Sequence, residues 1–148
     1  MHVYYIRSGE WFTPEGVLLA VCHSGHGDAM NDPARCSERN VGPIPPGFYD
    51  LGPAYHHPKT GPISMRLLPH PGTNTFGRSG FLVHGANSTP DPADDSEGCP
   101  IMPRGPRSLL ALSADRVVEV VPERPESTPI EPVVVEAEPT GPEGPKES

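Results

Sequence analysis

A chain of 148 residues with a formal net charge of −8 and 34% hydrophobic residues has the length of one domain and is too acidic to favour nucleic acid or an anionic membrane surface as a partner. Its 22 prolines and 16 glycines argue against a helical bundle and for many short strands joined by tight turns. No apolar run approaches the ~18 residues of a membrane span, and the start Met-His-Val-Tyr-Tyr-Ile-Arg lacks the basic and apolar regions of a signal peptide. The protein is therefore expected to be made in the cytoplasm, and any work outside it needs another route.

Residues 3–6 are expected to form a first strand, residues 8–10 a turn, and Trp11-Phe12 the returning strand. Residues 17–22 are apolar and rich in residues that suit strands, which reads as a central strand. Its exit, His23-Ser24-Gly25-His26-Gly27, is a polar loop suited to lining a groove; with Cys22 and Cys36 it matches no zinc spacing, so no metal is expected. Residues 31–42 read as a polar connection. Gly42-Pro43-Ile44-Pro45-Pro46-Gly47 is a stiff turn, because proline fixes φ and glycine supplies the positive values, and it launches a strand over residues 48–51. Residues 54–61 are expected to be loop, residues 63–68 a half-buried strand and residues 69–76 another loop.

The most informative stretch follows. Phe81-Leu82-Val83 is an apolar strand that ends on His84-Gly85. An insert carrying Asn87 and three aspartates leads to Ser96-Glu97-Gly98-Cys99, and residues 100–102 form a second short strand. If the two strands are neighbours, His84 and Cys99 meet at one end of the sheet. A thiol attacks as thiolate, and an adjacent imidazole can lower its pKa, so the pair is a candidate catalytic dyad. Gly98 removes a side chain where a carbonyl must approach and lets backbone amides converge as an oxyanion hole. Gly85 leaves its carbonyl accessible to fix the imidazole tautomer. The three cysteines, 22, 36 and 99, are odd in number, which leaves at least one thiol free; in an oxidising compartment Cys22 and Cys36 could pair and leave Cys99 reactive, and without a signal peptide they are expected to be reduced.

Beyond this, residues 107–113 are expected to form a short helix packing Leu109, Leu110 and Leu112 onto the sheet, and residues 115–121 a final strand. Residues 122–148 carry seven prolines and seven glutamates with no aromatic residue, and are expected to be a disordered tail. The fold expected for residues 1–121 is mainly β, a β-sandwich or flattened barrel with one short helix.

The set Gly42-Pro-Ile-Pro-Pro-Gly47-x-Tyr49, Gly77-Arg78-x-x-Phe81-x-x-His84-Gly85 and Ser96-x-Gly98-Cys99 resembles the YkuD-type L,D-transpeptidases, and in particular the branch of type VI secretion effectors acting on peptidoglycan. The chain departs from the general pattern at Glu97, where histidine is usual, and at Ile101, where asparagine or arginine is usual. The resemblance implies an L,D-transpeptidase-like domain and a cysteine enzyme without cofactor, processing tetrapeptide stems through a thioester. Cys99 would be the nucleophile, His84 the base and then the acid, Gly85 the carbonyl that orients it, and the Gly98 and Cys99 amides the oxyanion donors. Ser96 would cap the loop and meet substrate. Arg78 and Arg104 are candidates for the substrate carboxylate, since a guanidinium matches it bidentately. The expected partners are peptidoglycan stem peptides, a secretion machinery and an immunity protein. A monomer acting in the periplasm or cell wall after delivery is the corresponding expectation. The alternatives are a silent peptidoglycan-binding module, which would be expected to lose the thiol, and another cell-wall cysteine endopeptidase, whose known kinds place Cys before His.

Overall fold

The computed structural model describes residues 1–86 and 96–125. The chain is mainly β: β1 (His2–Tyr5), β2 (Glu10–Phe12), β3 (Leu18–Val21), β4 (Gly47–Leu51), β5 (Tyr55–His57), β6 (Gly61–Pro69), β7 (Leu82–Val83) and β8 (Val117–Val121), with a single α-helix among the described residues, α1 (Arg104–Ala111). The strands join in the order β3-β2-β1-β8-β4-β6-β5, with β7 also paired to β6. The result is one sheet curled into a half-barrel, in keeping with the flattened-barrel form of the expectation. All named pairings are antiparallel except β1 with β8, where His2 stands opposite Val118 and Tyr5 opposite Val121.

Alternation decides which side chains go inside. In β8 Val118 and Val120 are buried, and in β1 Tyr4 is fully buried; both lie in the core with Trp11, Tyr49, Met65 and Leu67. Fully burying a side chain of that size contributes about 1.5–3 kcal/mol, so this concave face holds the sheet curled. Trp11 Nε1 donates to His2 Nδ1 at 3.3 Å, which satisfies a polar atom that burial takes from water.

Four expectations are corrected. The run 17–22 gives β3, which ends the strand order rather than sitting at its centre, and Val17, Leu18 and Val21 are exposed. Residues 54–61 contain β5, paired antiparallel with β6. The connection 31–42 includes a 3₁₀ turn over Pro33–Arg35 whose first amide is capped by Asp32. The helix starts at Arg104, and of its leucines only Leu110 is buried, Leu109 and Leu112 standing exposed at 63% and 82%.

The region after β8 stays in contact with the sheet for a few residues: Pro122 accepts from the Arg7 amide at 3.0 Å and Arg124 lies over the Phe12 ring at 5.1 Å. The expected tail beyond residue 125, like Asn87 and the three aspartates of the insert, lies outside the described residues.

Candidate active site

β7 pairs with β6 through Met65↔Val83 and Arg66↔Leu82, which fixes the strand that leads to His84. His84 then forms a parallel bridge with Ile101: its amide donates to Pro100 at 3.3 Å and its carbonyl accepts from Met102 at 2.9 Å. On its other side Ile101 exchanges two backbone bonds with His23, at 2.7 and 3.3 Å. The segments ending in His84 and beginning after Cys99 are thus neighbours, and the thiol sits against the same strand. Cys99 Sγ lies 3.4 Å from the Leu82 amide and 3.7 Å from the Gly80 carbonyl. The imidazole of His84 is buried, with Nδ1 at 2.8 Å from the Gly85 carbonyl. Since a carbonyl only accepts, Nδ1 carries the proton and Nε2 the lone pair.

The loop before Cys99 is held by hydroxyls. Ser96 Oγ accepts from the amides of Gly98 (2.9 Å) and Gly25 (3.0 Å) and donates to the Cys99 carbonyl at 2.6 Å. Its bonding capacity is filled and it is buried, so Ser96 holds the loop. The Gly98 amide, which the sequence suggested as an oxyanion donor, is the one bonded to Ser96. Ser24, which no motif singled out, donates to the Gly98 carbonyl at 2.8 Å and accepts from the Ile44 amide at 2.9 Å. The 23–27 loop therefore contributes from behind the site as a clasp.

Arg78 is buried and its guanidinium donates to four backbone carbonyls: Cys36 and Pro43 (2.8 Å) from one nitrogen, Gly42 (2.8 Å) and Glu97 (3.2 Å) from the other. It also lies over the Phe81 ring at 5.3 Å. With both terminal nitrogens engaged, Arg78 ties the 36–43 loop to the cysteine loop and is not placed to clamp a substrate carboxylate. Arg104 is exposed on the first turn of α1 and lines no wall of the pocket at Cys99.

A second buried guanidinium stands at His84. Arg107 donates to the carbonyls of Pro62 (2.9 Å) and Ile63 (3.1 Å), and a Cβ built on Gly85 would lie 2.6 Å from its NH2 nitrogen. Gly98 is crowded the same way by Arg78, and its φ of +130° is one that side chains avoid. The glycines of His-Gly and Gly-Cys thus leave room for two arginines. Spacing gives no sign of this, because the partners lie many residues away.

Burial is the main cause that pushes the Cys99 thiol up; the Leu82 amide and Arg78 pull it down, and the Glu97 carboxylate pushes it further up. Burial thus outweighs the two influences that lower it. Cys22 and Cys36 are free, buried thiols, raised by burial to about 12 and about 11, and inert as nucleophiles on that account. Among the described residues no group of three or more His, Cys, Asp or Glu is placed to hold a metal ion.

Cys99 opens into a pocket of about 320 Å³ lined by Arg39, Asn40, Arg78, Phe81 and Glu97 together with Gly77, Ser79 and Gly80. A larger one of about 510 Å³ lies between His2 of β1, the turn before β3, β3 itself and α1, and holds none of these groups. The wall over residues 76–80 owes its shape to positive φ at Phe76, Gly77 and Gly80, which turns the backbone away and leaves the floor open. Among protein-family models, that of the Tlde1 domain matches residues 19–121. No curated protein and no solved structure matches the chain.

Proposed function

Since the chain belongs to the Tlde1 domain family, a group of type VI secretion effectors of the L,D-transpeptidase type, we propose that it acylates its Cys99 with peptidoglycan tetrapeptide stems. The observation that carries this reading is the convergence of His84 and Cys99 on adjacent backbone segments, with the His84 tautomer set by the Gly85 carbonyl.

The chemistry runs as acyl transfer. Sγ attacks the carbonyl carbon between the third and fourth stem residues while Nε2 of His84 takes the thiol proton. The resulting oxyanion meets the Cys99 amide, the Gly98 amide being bonded to Ser96. Collapse breaks the C–N bond as His84 returns the proton to the departing amine, which leaves as a D-amino acid, and a thioester remains on Cys99. Water then gives a trimmed stem, and an amine gives exchange or a cross-link. Delivery by a secretion machinery would bring the enzyme to the cell wall.

The test is mass spectrometry of purified tetrapeptide muropeptides incubated with the protein. Wild type should remove or exchange the terminal D-alanine and carry a thioester on Cys99. Cys99→Ala should abolish turnover with the fold intact, and His84→Ala should be nearly as damaging and non-additive with it, because the two act as one unit. Wild-type protein that binds peptidoglycan and leaves the stems untouched would establish a binding module instead.

A further inference from the structure

We propose that Arg39 and Glu97 form a charge-paired subsite for an α-amino-acid zwitterion, its carboxylate on Arg39 and its ammonium on Glu97, in the pocket that opens onto Cys99. The assignment rests on the acyl-transfer reading above and names the group that reading leaves without a partner. Both side chains are exposed and line the same pocket as the thiol. Among the described residues neither takes part in an ion pair, with the other or with a third group. The neighbouring cations are already committed: Arg35 is paired with Asp28 and Glu38, at 2.7 and 2.8 Å, and Arg78 is bonded to four carbonyls.

The backbones that carry the two charges are fixed by one residue. Arg78 bonds Cys36, Gly42 and Pro43, which bracket Arg39, and also the carbonyl of Glu97 itself. Asn40, at φ +62°, turns the chain beside Arg39, and the Glu38 carbonyl closes that turn by accepting from Val41 (3.3 Å) and Gly42 (2.9 Å). A guanidinium and a carboxylate held apart by a braced frame suit a ligand that carries both opposite charges on one carbon, since a singly charged ligand would leave one of them facing it unpaired. Seating an ammonium on Glu97 also offsets one of the influences that keep the Cys99 thiol protonated, after burial as the first.

Two ligands have this chemistry: the side-chain end of a diamino-acid residue such as diaminopimelate within the stem, and a free amino acid acting as acceptor. The experiment uses the full chain and compares diaminopimelate tetrapeptide, its lysine counterpart, which lacks the second carboxylate, and a free D-amino acid. Arg39→Ala and Glu97→Gln should each raise KM for the diaminopimelate stem about tenfold, the loss of one charge-assisted contact, with kcat retained. Arg39→Ala should leave KM for the lysine stem unchanged. A rise confined to KM for the free amino acid would support the same subsite with the acceptor as its occupant. Turnover with every KM unchanged in both variants would overturn the subsite and leave the reaction standing. If wild type shows no turnover, calorimetry of the diaminopimelate tetrapeptide on Cys99→Ala protein separates the two ideas. Binding weakened about tenfold by Arg39→Ala keeps the subsite without the reaction, and binding that is absent or insensitive to Arg39→Ala overturns it.

Discussion

Arg78 stands on the Cys99 side of the site and Arg107 on the His84 side, both buried, each pressed against a glycine that a side chain would displace. They differ in how completely they are bonded. Among the described residues Arg78 has four carbonyl acceptors and an aromatic ring, whereas Arg107 has two acceptors and its buried Nε has no hydrogen-bond partner. One acceptor of Arg107 is the carbonyl of Ile63, a β-branched residue at φ +57°, where the backbone is strained. The cysteine loop is thus fastened by a satisfied cation, and the histidine corner by one that keeps an unmet donor. Where many carbonyls converge on a cation the burial of charge is offset; where few do, part of its cost remains.

Removing Arg78 should break this contrast most severely. Arg78→Met leaves four carbonyls without their donor and should cost about 3–5 kcal/mol, against roughly half of that for Arg107→Met, as measured by denaturant midpoints. Equal losses would show that the number of acceptors does not set the difference. Next is Gly98→Ala, expected to cost about 3 kcal/mol, because it combines a disfavoured φ with the Arg78 nitrogen and the Gly42 carbonyl 3.1 Å from the added methyl. Trimming Arg78 should not rescue it, since the φ strain and the carbonyl remain.

Gly85→Ala sharpens the comparison from the other side. Gly85 is not among the residues of positive φ, and the three atoms nearest its added methyl all belong to the Arg107 side chain. A cost of about 1–2 kcal/mol is expected, largely relieved in a Gly85→Ala, Arg107→Ala pair, so that the double mutant is more stable than the two single losses would sum to. Additive losses would mean that Arg107 does not press on Gly85 in solution.

At neutral pH the smallest effect is that of titration, which is felt only in alkaline solution. Burial raises Cys22 from 9.0 to about 12, while Cys36, where the Arg78 cation works against burial, reaches about 11. A thiol whose folded pKa is raised holds its proton longer in the folded state than in the unfolded one. Its contribution is therefore complete below pH 9.0 and is lost as pH rises toward about 12 for Cys22. Unfolding monitored between neutral and alkaline pH should show stability falling by up to about 1.4 kcal/mol per unit from Cys22, a slope that Cys22→Ala removes.

The strands that bury one face were legible because alternation reports burial: residues 48–51, 63–68 and 115–121 point to β4, β6 and β8. Position within the sheet was not. The apolar run before Cys22 resembles a central strand, yet it lies at the end of the order, where its outer residues meet solvent. The start of α1 was hidden by Pro106. Proline is tolerated anywhere in a first turn, where amides have no partner within the helix, and the first helical bond here runs from the Arg107 amide to Pro103 at 3.0 Å. At the site, His84, Cys99 and both glycines stood out by residue type. Arg107 and Ser24 did not, because each bonds a segment remote in sequence, and Arg39 did not, because only the fold brings it to the pocket of Cys99; nothing local distinguishes the three from surface charges or a loop hydroxyl.

The parallel pairing of β1 with β8 has a consequence for how the chain comes to be folded. Tyr4 meets Val120, so the middle of the sheet joins the two ends of the domain. Neither strand can be completed by a neighbour in sequence, and closing a loop of that span must precede the contacts that reward it. A chain emerging from the ribosome therefore holds its first strands unpaired on one edge until residue 121 is free, and the thiol that depends on this frame is assembled only after synthesis of the whole domain. Nucleation is expected among β4, β5 and β6, whose pairings are close in sequence, with docking of β1 on β8 as the late and slower event.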